Sequence, residues 1–190
     1  YPVYAHATLI VDSGFTNHGL IELTDNAFQS FNPNATLIVN NGTLVNAADG
    51  EIVSAYGTIY GAGRTIEAEI DNQGTITVNR SLLLRKASAQ HTSSGTIVVN
   101  TGNLTVDNVS GAGAFTNTGT IDIHSGHTFR VDRGAFNQQA GIIEGNGTLQ
   151  LENTTATFTT DFSNAAAELV AANTVDNGQG TVTNVAGKPL

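Results

Sequence analysis

A short phrase made of glycine, threonine, an aliphatic residue, any residue and a second aliphatic residue recurs along this chain. It reads Gly74-Thr-Ile-Thr-Val78, Gly95-Thr-Ile-Val-Val99, Gly119-Thr-Ile-Asp-Ile123 and Gly147-Thr-Leu-Gln-Leu151, with looser copies at Gly19-Leu-Ile-Glu-Leu23 and Gly42-Thr-Leu-Val45. A strand of period two that returns at a nearly fixed interval is a stacked repeat, because its apolar side has only the copies before and after it to pack against. The glycines that open the strands, Gly50, Gly74, Gly95, Gly119 and Gly141, are 24, 21, 24 and 22 residues apart, so one coil takes about 22 residues. The fold class that follows is all-β: a single-domain right-handed parallel β-helix (β-solenoid) over residues 1–190, of about eight coils. The handedness comes from the general preference of parallel crossovers. At ~4.8 Å per coil the rod is on the order of 40 Å long.

Alternation assigns a side to each residue. Ile76, Val78, Ile97, Val99, Ile121, Ile123, Leu149 and Leu151 belong inside. Thr75, Thr77, Thr96, Thr120, Asp122, Thr148 and Gln150 belong outside, where β-branched columns suit a half-wet face. A second column pairs an apolar residue with an asparagine just after it: Phe15-Thr-Asn17, Ile70-Asp-Asn72, Phe115-Thr-Asn117 and Phe136-Asn137. An asparagine at a coil corner satisfies backbone groups and tolerates left-handed geometry, so the column reads as structural. The Ala-rich run 161–172, with Asp161 or Ser163 as an N-cap, suggests a short helical cap over the last coil, with a strand as the alternative.

Composition removes several functions. The formal net charge of -9, from seven basic and sixteen acidic residues, denies the chain the electrostatic grip that nucleic acid or an anionic membrane requires. No stretch approaches ~20 apolar residues, so no membrane insertion of this segment is expected. The absence of cysteine excludes disulfides and thiolate metal sites. The absence of methionine, including an initiator, suggests a segment excised from a longer parent chain, whose remainder is then an expected partner.

Several residue groups invite a chemical reading. In His124-Ser-Gly-His127-Thr-Phe-Arg130-Val-Asp132-Arg133, two histidines and an aspartate are the types a metal site or a base with its orienter would use. The plainer reading is a glycine turn followed by an outward strand face. Arg64, Arg80, Arg85, Lys86, Arg130 and Arg133 fall on the central coils, to receive an acidic glycan or to pair with neighbouring carboxylates. Glu67, Glu69 and Asp71 alternate with Ala68 and Ile70, which places them on an outer face, partly neutralised by Arg64. The Asp-Asn pairs at 25–26, 71–72, 107–108 and 176–177 suit turns better than calcium, since the Gly-Gly-x-Gly-x-Asp signature is missing. No catalytic residue, metal ligand or cofactor is assigned.

Segments such as Phe115-Thr-Asn-Thr-Gly-Thr-Ile-Asp-Ile123 and Ile70-Asp-Asn-Gln-Gly-Thr-Ile-Thr-Val78 resemble the repeats of large bacterial surface proteins, the filamentous-haemagglutinin-like adhesins and autotransporter passenger domains. The resemblance implies an extracellular, cell-surface location and a non-enzymatic role as adhesion shaft or ligand-presenting scaffold. It also implies a glycan or protein on a host or neighbouring cell as partner. An alternative is a glycan-binding module on one face, for which Tyr56, Tyr60, Arg80, Arg85, His124, His127 and Arg130 are the candidate residues. A third reading, a polysaccharide-degrading β-helix enzyme, requires two or three carboxylates within ~5–10 Å on one face.

Overall fold

The computed structural model describes residues 6–25, 34–57 and 63–188. These residues form parallel strands and no helix, wound as a β-solenoid of about six turns. One wall is a ladder of six strands, in the spatial order Leu20–Leu23, Glu51–Ser54, Thr75–Val78, Thr96–Val99, Thr120–Ile123 and Ile142–Gly145. Ile21, Ile52, Ile76, Ile97, Ile121 and Ile143 lie one above another on its inner face. The outer threonines Thr75, Thr96 and Thr120 align in the same way.

The opposite wall is longer and bends midway. Its first half stacks Leu9, Leu37, Ile66, Leu84, Val106, Val131, Leu151 and Ala171. Its second half carries Phe15, Leu44, Ile70, His91, Phe115, Phe136 and Ala156. The strand Thr148–Phe158 and the strand Glu168–Ala172 continue this wall past the sixth turn. At the bend, Arg133, Asn153 and Asn173 take positive φ values of 67°, 51° and 50° in three successive coils. Asparagine tolerates that region, and Arg133 is followed there by Gly134 at 72°.

The assigned sides hold wherever the phrase occurs. Ile97, Ile121, Val99 and Ile123 have no exposed surface, while Thr96, Thr120 and Asp122 are half-buried on the outside. In the four full copies of the phrase the glycine is fixed by the chain beneath it. A Cβ on Gly95 would sit 2.1 Å from the carbonyl oxygen of Gly74, and one on Gly119 would sit 2.1 Å from that of Gly95. The next residue of each phrase closes the ladder, Thr96 N–H donating to Gly74 O at 2.8 Å and Thr120 N–H to Gly95 O at 2.9 Å. The recurring glycine is thus a stacking requirement.

The asparagine column is an internal ladder. Asn17 Nδ2 donates to Asn46 Oδ1 at 2.8 Å, Asn46 Nδ2 to Asn72 Oδ1 at 2.8 Å, and Asn72 Nδ2 to the Ser93 hydroxyl at 3.1 Å. Further along, Asn117 Nδ2 donates to Gln138 Oε1 at 2.9 Å. Gln138, not Asn137, continues the column: Asn137 stands level with Thr116 on the outer face. Beside the ladder, Phe115 and Phe136 stack with centroids 6.3 Å apart, and Phe158 and Phe162 extend the cluster.

Two expectations change. The run 161–172 takes the strand alternative: it holds the strands Phe162–Ser163 and Glu168–Ala172, with Ala167 and Leu169 buried at period two, and no helix. Arg64 does not serve Glu67, Glu69 or Asp71. It lies on the inner side with Ile66, Ala68 and Ile70, 1% exposed, and pairs with the likewise buried Asp25 at 2.6 Å. Its Nε donates to the carbonyl of Leu23 at 3.0 Å, which supplies the additional bonds a buried ion pair requires.

Candidate functional site

Residues just beyond the C-terminal ends of the six-strand wall meet along one corner. Tyr56 follows Ser54, Arg80 follows Val78, and His124 follows Ile123, so stacking of the strands stacks what comes after them. The Arg80 guanidinium lies 5.9 Å from the Tyr56 ring centroid, a cation–π contact. The Tyr56 hydroxyl donates to Thr101 O at 3.1 Å, and Thr101 Oγ1 donates to Asn79 O at 2.8 Å. Ser54 Oγ and Asn100 Nδ2 tie the same corner together through Arg80 O at 2.5 Å and Asn79 Oδ1 at 2.8 Å.

Below Thr101 the corner opens into a groove of about 570 Å³ lined by Asn100, Asp122, His124, Ser125, His127 and Asn146 among others. His124 Nε2 lies 3.3 Å from Asp122 Oδ2. The turn between the two histidines closes through His127 N–H donating to His124 O at 3.1 Å, with Gly126 at φ 80°. Of the seven candidates read from the sequence, Tyr56, Arg80, His124 and His127 are therefore brought to one strip.

Arg85 and Arg130 belong to the other wall. Arg130 bonds Glu152 at 2.5 Å and lies 3.4 Å from Asp132; Arg85 is 3.9 Å from Asp107. Arg133 also bonds Asp107, and that bond holds its guanidinium above its ordinary pKa. Opposite charges on adjacent coils thus satisfy one another here. Beside this network, Lys86 donates to Val39 O at 2.5 Å and Asn40 O at 3.1 Å across a cavity of about 500 Å³. Tyr60 lies outside the described residues.

The carboxylates considered for catalysis act as struts between coils. Glu69 accepts from Thr43 Oγ1 and from Gln90 N–H, both at 2.9 Å, and Asp71 accepts from Thr92 Oγ1 and Gln73 Nε2, both at 2.7 Å. Among the described residues, no group of three or more His, Cys, Asp or Glu side chains is arranged to hold a metal ion.

One titratable residue escaped the sequence reading. His91 is 1% exposed, between Ile70 and Phe115 in the core column. Its Nδ1 accepts from Ile70 N–H at 3.3 Å, and its buried Nε2 has no partner. Burial pushes its pKa down to about 4, with nearby Glu69 acting in the opposite direction and Lys86 in the same one.

No family model, curated protein or solved structure matches this chain.

Proposed function

We propose that the protein is a non-enzymatic, extracellular β-solenoid of a bacterial surface or secreted adhesin, acting as an adhesion shaft that presents ligand-binding surface. Supporting this reading is the continuity of the ladders: inner aliphatic, asparagine and glycine columns run through successive coils with outer carboxylates tying one coil to the next. Such a body is stiff along its axis and carries its variety on outer faces and corners. The right-handed winding and the count of eight coils belong to this proposal; the eight stacked positions from Leu9 to Ala171 support the count.

The test is retention under flow. Beads coated with the purified chain should be held on host-cell or glycan-coated surfaces more strongly than albumin-coated beads, and the chain should release no reducing ends from a polysaccharide panel. Equal retention would remove the adhesion role, and released reducing ends would establish the enzyme reading. A second reading, a glycan-binding module, is favoured by the meeting of Tyr56, Arg80, His124 and His127 along one corner.

A further inference from the structure

The corner groove gathers polar side chains that make no hydrogen bond among the described residues. Asparagines elsewhere are occupied by bonds that mostly join neighbouring coils: Asn17 with Asn46, Asn79 with Asn100, Asn117 with Gln138, Asn153 with Asn173. Among the described asparagines, Asn146 and Asn177 alone have side chains without a hydrogen bond. Asn146 lines the groove, together with Ser125 and His127, whose hydroxyl and ring likewise make none among the described residues.

The groove floor is kept open by one residue. Gly145 has φ +88°, and a Cβ there would sit 2.7 Å from Asp122 Oδ1 and 2.1 Å from Ile123 O. Glycine therefore leaves Asp122 Oδ1 uncovered where any side chain would crowd it, while Oδ2 faces His124 Nε2.

These groups suit a polyol. A carboxamide offers donors and an acceptor side by side, and a carboxylate accepts two bonds, which matches adjacent ring hydroxyls that each give one bond and take one. A groove of about 570 Å³ is of the size that small ligands occupy. Charge argues against an acidic sugar: Asp122 sits in the groove, the net charge is -9, and the nearest arginine on this corner, Arg80, is engaged over Tyr56. We propose that this groove binds a neutral saccharide, Asp122 and Asn146 bonding adjacent hydroxyls while Ser125 and His127 close the rim. The inference rests on the glycan-module reading and narrows it to one place and one ligand class.

The experiment is an amide NMR titration of the full chain with methyl α-mannopyranoside, methyl β-galactopyranoside and, separately, sialyllactose. The expected result is saturable shifts at Gly145, Asn146 and His127 with a neutral glycoside. Asn146→Ala should weaken that binding about tenfold, as loss of one ligand hydrogen bond does. Its melting temperature should stay unchanged, and Asn177→Ala, the other unbonded asparagine, should bind as the parent does. Gly145→Ala should also lose binding, but only Asn146→Ala separates a lost contact from a damaged fold. Shifts with sialyllactose alone, mapping to Arg85 and Lys86, would overturn the groove while leaving a glycan-binding module elsewhere. Absence of saturable shifts with either neutral glycoside would overturn it as well, whatever the bead-retention result.

Discussion

A histidine sealed in the core column makes stability depend on acid in a calculable way. In the folded protein the His91 imidazole stays neutral down to a pH of about 4. In the unfolded chain it protonates near 6.5. The unfolded state therefore binds the extra proton between these values, so the contribution is complete above pH 6.5 and is lost as pH falls toward 4. At about 1.4 kcal/mol per pH unit, the loss reaches about 2–3 kcal/mol by pH 4.5. With a urea slope of about 2 kcal/mol per molar, the unfolding midpoint should drop by about 1 M from this residue alone. Carboxylates also begin to titrate in that range, so the measurement is a difference between proteins. His91→Gln keeps an acceptor for Ile70 N–H and removes the titration. Urea unfolding followed by far-ultraviolet circular dichroism at pH 7.5 and 4.5 should show parent stability falling by about 2–3 kcal/mol more than that of His91→Gln. Equal falls in the two proteins would refute the argument and place the acid sensitivity elsewhere.

Three further outcomes follow at neutral pH. Gly95→Ala should cost more than about 3 kcal/mol, because its Cβ meets the Gly74 carbonyl at 2.1 Å; Gly19→Ala, with open space around it, should be near neutral in the same thermal melts. Asn46→Ala interrupts a fully buried ladder on both sides and should destabilise by about 3 kcal/mol in urea titrations; a change below about 1 kcal/mol would mean the ladder is dispensable. Ile97→Asp should unfold the rod while Thr96→Asp leaves circular dichroism melts close to those of the parent, and matching behaviour would refute the inside/outside assignment.

The coil interval and the two faces were legible because the phrase marks them three ways at once, with a glycine that must stack, an inner aliphatic residue and an outer threonine. Coils without the phrase were harder. Gln90-His91-Thr92-Ser93 contains no apolar residue, so nothing local marks His91 as inward; the register of Ile70 and Phe115 on either side places it there. For Arg64 a signal existed, since Arg64, Ile66, Ala68 and Ile70 alternate as strictly as any strand, but the charge argued for the outside. Its compensation, Asp25, is distant in sequence and visible only after folding. The corner strip is half legible: the sequence marks the histidines as a turn, and their position beside Tyr56 and Arg80 follows from counting residues beyond the ends of stacked strands. Charge alone groups Arg85 and Arg130 with them, and topology separates them.

The amide ladder also has a direction. In each link the nitrogen on the earlier coil donates to the oxygen on the later one, from Asn17 to Asn46 to Asn72 to Ser93 and again from Asn117 to Gln138. A coil wound one residue out of step would turn its amide outward and set an outer residue in its place, stranding buried polar groups on both neighbours at about 1–3 kcal/mol each. The ladder thus works as a parity check on register, penalising a miscounted coil on both of its faces.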